Sequence, residues 1–105
     1  MSREPFSGHL ELLLLAALQQ PRHGYGVIEH VRTVSGGRFD YPDGTVYPAL
    51  HRLEAEGLLR SRWREVEGRR RRVYEITAGG KKAHVGQRRE WERFTRSVTA
   101  ILEQT

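Results

Sequence analysis

Six of the nine residues from Leu10 to Leu18 are leucine, and the remaining three are Glu11, Ala16 and Ala17. Such a run forms a helix readily and leaves it almost no polar face. A helix that is apolar all round has to be covered on several sides. In a chain of 105 residues, long enough for one modest core, one side of a helix over Gly8 to Gln20 can face that core. The other side then needs a partner surface. The run is too short to cross a bilayer, which takes about 20 apolar residues, and no basic segment precedes it as in a secretory leader. Without cysteine, disulfides and thiolate metal sites are excluded. These features together predict a cytoplasmic protein.

Pro21 ends the first helix, because the residue before a proline is pushed out of the α region. Val27, Val31 and Val34 recur at helical spacing, with Ile28 beside them, and predict a second helix over Gly24 to Ser35 that stops at Gly36-Gly37. Residues 38–42 read as an extended loop. The helical period returns at Asp43, a residue able to cap, with Val46, Leu50 and Leu53 on one stripe and Gly57 as a left-handed stop. Pro48 lies in or just past the first turn and costs at most about one backbone hydrogen bond.

Two extended segments follow. Leu59 to Val66 alternates, with Leu59, Ser61 and Trp63 on one side and Arg60, Arg62 and Arg64 on the other; Arg72 to Thr77 places Tyr74 and Ile76 inward. Glu67 to Arg70 suit the tip of a hairpin, and Trp63 is expected to join Leu59 and Tyr74 beneath it. Thr77 is a natural N-cap for a last helix from Ala78 to about Glu103. Its Trp91, Phe94, Val98 and Ile101 step by 3, 4 and 3, continuing back to Gln87 and His84, a narrow seam suited to packing on another helix. That helix is either a second copy of itself or, alternatively, part of the chain's own core. Before these helices, Met1 to Ser7 lack any period and read as an N-terminal arm.

The fold class is therefore α+β and mainly helical: three helices and a two-stranded wing over residues 1–77, a winged helix-turn-helix, then a dimerisation helix over 78–105. The net charge of +5 is concentrated in residues 59–74, where seven arginines stand against two glutamates. A focused basic patch displaces counterions from a polyanion. Helix three suits the major groove. With its apolar stripe turned inward, it presents Thr45, Tyr47, Pro48, His51, Arg52 and Ala55; Thr45 and Tyr47 are expected at phosphates and His51 nearest to base edges. Arg69 and Arg70 are expected at the wing tip, in the minor groove or on its flanking phosphates. Arg71 and Arg72 either follow the backbone or pair with Glu65 and Glu67. Tyr25 starts helix two, whose N-terminus can meet a phosphate, although a packing role suits it equally.

The residues His23-Gly24-Tyr25, Gly44-Thr45-Val46-Tyr47-Pro48-Ala49-Leu50-His51-Arg52-Leu53-Glu54, Glu56-Gly57-Leu58-Leu59, Glu67-Gly68-Arg69-Arg70-Arg71 and Val73-Tyr74-Glu75-Ile76-Thr77 resemble the PadR family of transcriptional regulators over roughly Gly8 to Lys82. The single final helix is similar to that family's small subgroup. The resemblance implies a homodimer that binds double-stranded DNA at a palindromic operator, usually as a repressor released by an effector. It also implies that Trp91, with its copy in a second subunit, can hold a flat aromatic compound. No cofactor is implied.

Other function classes find less in the residues. No Ser-His-Asp set, paired carboxylates, phosphate loop or HExxH supports an enzyme. A metal-responsive repressor would draw on His23, Glu29, His30 and His84. A winged helix also serves as a protein-interaction module, a reading that the arginine-rich hairpin argues against.

Overall fold

Burial of the leucine-rich segment organises the molecule. The computed structural model describes residues 9–105, and the expected arm of Met1 to Ser7 lies outside them. The elements are α1 (Leu10–Ala17), β1 (Arg22–His23), α2 (Gly24–Val34), α3 (Asp43–Ala55), β2 (Leu59–Val66), β3 (Arg69–Ile76) and α4 (Ala78–Leu102). Leu14, Leu15 and Leu18 meet Val27, Ile28 and Val31 of α2, and Val46, Leu50 and Leu53 of α3. Leu59, Tyr74 and Ile76 close that core from the foot of the hairpin. Three helices, a wing and a final helix make the expected mainly helical α+β fold. No helix among the described residues is long and apolar enough to cross a membrane.

The first helix ends earlier than its leucines suggest. Its last carbonyls are taken by neighbours: the Leu18 N–H donates to Leu14 O at 3.1 Å, the Gln19 amide to Leu15 O at 3.1 Å and Arg22 Nε to Ala17 O at 2.8 Å. A basic side chain on the final carbonyls is a favourable stop. The second side of α1 is covered in part by α4 of the same chain: Gln87 donates to the Glu11 carboxylate, and Leu10 and Ala83 pack on the core.

Four local expectations need correction. Asp43 does not cap α3; it is the first helical residue, and the extended Pro42 is the cap, its carbonyl accepting from Thr45 N at 3.0 Å and Val46 N at 3.1 Å. Val34 is exposed, because α2 ends there and Gly36 and Gly37, at φ of 67° and 85°, turn the chain away from the core. The supposed connector after Pro21 contains β1, which pairs antiparallel with β3 (Arg22↔Tyr74, His23↔Val73) to give the sheet order β1-β3-β2. The hairpin tip is only Glu67-Gly68, both at positive φ (54° and 76°). A two-residue turn of this kind matches the strand twist. The ladder therefore reaches Val66↔Arg69 and Glu65↔Arg70, and both arginines lie on the strand.

The start of α4 is locked to the end of α3. Thr77 Oγ1 accepts from Gly80 N at 3.0 Å and donates to Gly57 O at 2.7 Å, while Thr77 N donates to Leu58 O at 3.1 Å. Gly57, at φ 82°, is the left-handed stop expected there. A Cβ on Gly80 would lie 2.1 Å from the Leu58 carbonyl oxygen. Backbone cannot yield there as a side chain would. Gly80→Ala should lower the unfolding free energy by about 2–3 kcal/mol in urea titration, in the upper part of the range for overpacking; stability equal to the parent would show that the two helices are free to separate.

Candidate nucleic-acid interface

The period of α3 buries Val46, Ala49, Leu50 and Leu53 and leaves Thr45, Pro48, His51, Arg52 and Ala55 exposed. Tyr47 differs from these. Its ring is half-buried over the start of α2, and a Cβ on Gly24 would stand 2.2 Å from Tyr47 Cε1. Only glycine leaves that ring its place. Burial, then Asp43, holds the phenol above its ordinary 10.0, so it stays a hydrogen-bond donor. Tyr25, in the first turn of α2, is exposed.

The wing meets α3 through a polar ladder. Glu54 of α3 accepts from Ser61 Oγ at 2.7 Å and lies 3.6 Å from Arg72 Nη2; Arg72 Nε donates to Ser61 Oγ at 2.8 Å. Trp63 stands directly across from Arg72 in the register. The guanidinium of Arg72 lies 5.8 Å from its ring centroid and that of Arg70 lies 5.2 Å away, within cation–π range. Trp63 does not join Leu59 and Tyr74 beneath the hairpin: it is 55 % exposed. Leu59 and Tyr74 sit at the hairpin's foot, whereas Trp63 lies farther along it, beyond the edge of the core.

Seven arginines are thus sorted by their neighbours. Arg60 and Arg62 flank Glu75, whose carboxyl is held below its ordinary 4.5, first by the hydrogen bond from Arg60. Arg72 takes Glu54, not the Glu65 or Glu67 that the sequence offered as one alternative to backbone contacts. Among the described residues, Arg64, Arg69, Arg70 and Arg71 have no carboxylate within ion-pair distance. These four leave the wing's positive charge open to a polyanion.

The four histidine and glutamate metal candidates are spread over the molecule. His23 caps α2, its Nδ1 accepting from Gly26 N at 3.1 Å. His30 and Glu29 lie farther along α2, and His84 is on α4 with a buried Nδ1 that has no hydrogen-bond partner. Among the described residues no group of three or more His, Asp or Glu is placed to hold a metal ion. On α4, His84 and Gln87 are half-buried, but every residue from Arg88 onward is exposed. The seam therefore divides: its start packs on this chain and its remainder projects. Trp91 meets the His9 ring edge-on at 4.8 Å and Phe94 at 5.8 Å. With Leu12 and Gln87 they line a cavity of about 360 Å³.

Comparison with known proteins places the chain in a family. The pattern of the transcriptional regulator PadR-like family matches residues 12–85, most of the chain. The chain belongs to that family. Transcriptional regulator Rv3488 of Mycobacterium tuberculosis is 46% identical over 77 residues, which are 73% of this chain and 59% of that protein. The chain thus aligns with less than two thirds of that relative's length. Among solved structures, smu.1704 from Streptococcus mutans UA159 is 30% identical with a TM-score of 0.81, covering 97% of this chain and 94% of that one. A PadR family transcriptional regulator from Eggerthella lenta DSM 2243 is 28% identical, TM-score 0.77, covering 93% and 85%. The exposed face of α3 and the arginine wing accordingly belong to a member of a family of transcriptional regulators.

Some features of this PadR-like protein's face escape a reading of sequence. Histidine is outside the Ser, Thr, Asp and Asn group that marks helix starts, so the role of His23 as a cap has no local signal. The choice of Glu54 for Arg72 depends on two elements folding together. The histidines nonetheless have a measurable signature. His23, His30 and His84 are all held below their ordinary 6.5, each first by burial and then by a nearby arginine, respectively Arg71, Arg22 and Arg88. The fold prefers them neutral. As pH falls through 6.5 the unfolded chain takes up protons first, so stability should be full above that value and decline below it. Urea titrations between about pH 8 and about pH 5.5 should show this loss, and a His84→Gln variant should lose less; a flat profile would contradict it.

Proposed function

We propose that this PadR-like chain is a homodimeric repressor, acting in the cytoplasm on a palindromic operator near a promoter. In this reading residues 1–77 read the DNA and residues 78–105 join two copies. The observation that carries it is the stripe left open on α4: Trp91, Phe94, Val98 and Ile101 are 37 %, 55 %, 37 % and 69 % exposed on a helix that extends past the body of its own chain. Aromatic and aliphatic groups at heptad spacing bury their surface when a second such helix lies against them. Two-fold pairing then presents two copies of α3 to successive major grooves, one helical turn apart.

On each half-site, Thr45, Tyr47 and Pro48 approach the backbone at the start of α3, with Tyr25 of α2 beside them. His51 and Arg52 face base edges. Arg69, Arg70 and Arg71 follow the flanking phosphates along β3. The cavity beside Trp91 and Phe94 suits a planar aromatic effector, stacked between the two subunits' tryptophans at the seam. Binding there would alter how the two reading heads are held and so release the operator.

Phe94→Glu places a charge on the seam and should convert the dimer to single chains at about 10 µM by light scattering, since an unpaired buried charge is strongly unfavourable; a mass of two chains would move the interface elsewhere. Arg69→Ala with Arg70→Ala should weaken binding to all duplexes about equally and reduce the salt slope by about 0.9 for each phosphate that is no longer neutralised. An unchanged slope would mean that the wing points away from DNA.

A further inference from the structure

Between the wing and the helices, the start of α2, the exposed side of α3 and strand β3 enclose a cleft of about 390 Å³. The side chains that line it include Arg71, Tyr47, His23 and His51, and no carboxylate. Arg71 is the informative one. Its Nε is buried and has no hydrogen-bond partner, whereas Arg60, Arg62 and Arg72 on the same hairpin each sit beside a glutamate. A buried, charged donor left unpaired is unfavourable until an acceptor arrives.

Its neighbours are neutral donors with fixed orientation. His23 spends its Nδ1 lone pair on the Gly26 N–H, so in the neutral ring the proton sits on Nε2. Burial and then Arg71 favour the neutral ring and outweigh the opposing pull of Glu67 and Glu29. The Tyr47 ring is held in the cleft because Gly24 has no Cβ. Trp63 and the Arg70 guanidinium stacked on it form the outer wall. Arg71 and Arg70, neither paired with a carboxylate and flanked by oriented neutral donors in a lining without acids, are the complement of a tetrahedral oxyanion.

We propose that this cleft seats one phosphate of the DNA backbone, with Arg71 supplying the charge and Tyr47 Oη–H and His23 Nε2–H supplying hydrogen bonds. The inference rests on the reading of α3 and the wing as the DNA-contacting face, and deepens it. It moves the central phosphate contact from the wing tip to the cleft between the wing and the two helices. A phosphate held between α2, α3 and β3 at once fixes where α3 enters the groove, which is the positioning role of backbone contacts.

The test uses the full chain and a duplex of about 30 bp selected by it from a random pool, with single methylphosphonates placed in turn along one half-site. One neutralised position should weaken the parent about 10-fold and Arg71→Gln less than about 2-fold, because the variant already lacks the charge that meets that phosphate. His23→Asn retains a side-chain cap but removes the Nε2 donor. It should weaken binding about 3- to 10-fold with the melting temperature and salt slope unchanged, an outcome that loss of the cap would not give. Tyr47→Phe should behave alike. If Arg71→Gln binds as the parent does and responds to the same methylphosphonates, the clamp is overturned while DNA binding stands. If the parent binds no duplex at low salt, the underlying reading fails and the clamp with it. If inorganic phosphate alone binds the parent below about 1 mM by calorimetry, fails to bind Arg71→Gln, and no methylphosphonate position is special, the occupant is a free anion and the DNA assignment is overturned.

Discussion

The carbonyl of Leu58 is the point at which this molecule is held together. It accepts from Thr77 N, while Gly80 of α4 is pressed against it so closely that no side chain fits between. Four elements converge there: the end of α3, the start of β2, the end of β3 and the first turn of α4. The hydrophobic core stabilises the three helices as a body, but that joint decides the direction in which the longest helix leaves it. Without it, the exposed face of α3 and the projecting helix would be two pieces on a hinge.

A second constraint acts between α3 and the wing. The ladder from Glu54 through Ser61 and Arg72 to Trp63 and Arg70 is made of contacts that are individually weak, since exposed ion pairs contribute about 0–1 kcal/mol. Its effect is geometric. Arg72 is anchored at one end by a carboxylate and at the other by an aromatic face, which fixes the wing's angle to the helix it accompanies. The same arrangement removes Arg72 from the wing's open charges and leaves Arg70 oriented.

Legibility in the sequence follows the range of the interaction. Helices with a period and a stop, such as α3 with Val46, Leu50, Leu53 and Gly57, and the cap at Thr77, are local signals that the residues carry themselves. Alternation places Trp63 on the inner side of its strand but does not say how far the core extends beneath it, hence its exposure. β1 is two residues long and has no period to detect. The tip of the hairpin is shorter than its residue types suggest because Glu67 accepts a positive φ, which glutamate rarely does, so that four consecutive arginines lie on a strand instead of a loop. The partition of those arginines between glutamates and open charge requires the fold itself. Where family resemblance supplies the reading, as with the PadR motif around Thr45 to Glu54, the known relatives agree at the level of family and fold.

The exposed length of α4 has a mechanical consequence. The described residues measure 54 Å along the long axis against 28 and 26 Å across, and the joint at Leu58 ties α4 to the rest. In the proposed pair, the seam is then the pivot of a long lever with the reading face at the far end. A tilt of a few degrees at the seam is multiplied along that lever into a displacement of several ångströms, comparable with the rise of one base pair, about 3.4 Å. A shift that is hardly noticeable among the aromatic side chains near Trp91 is enough to put two reading heads out of step with the helical repeat.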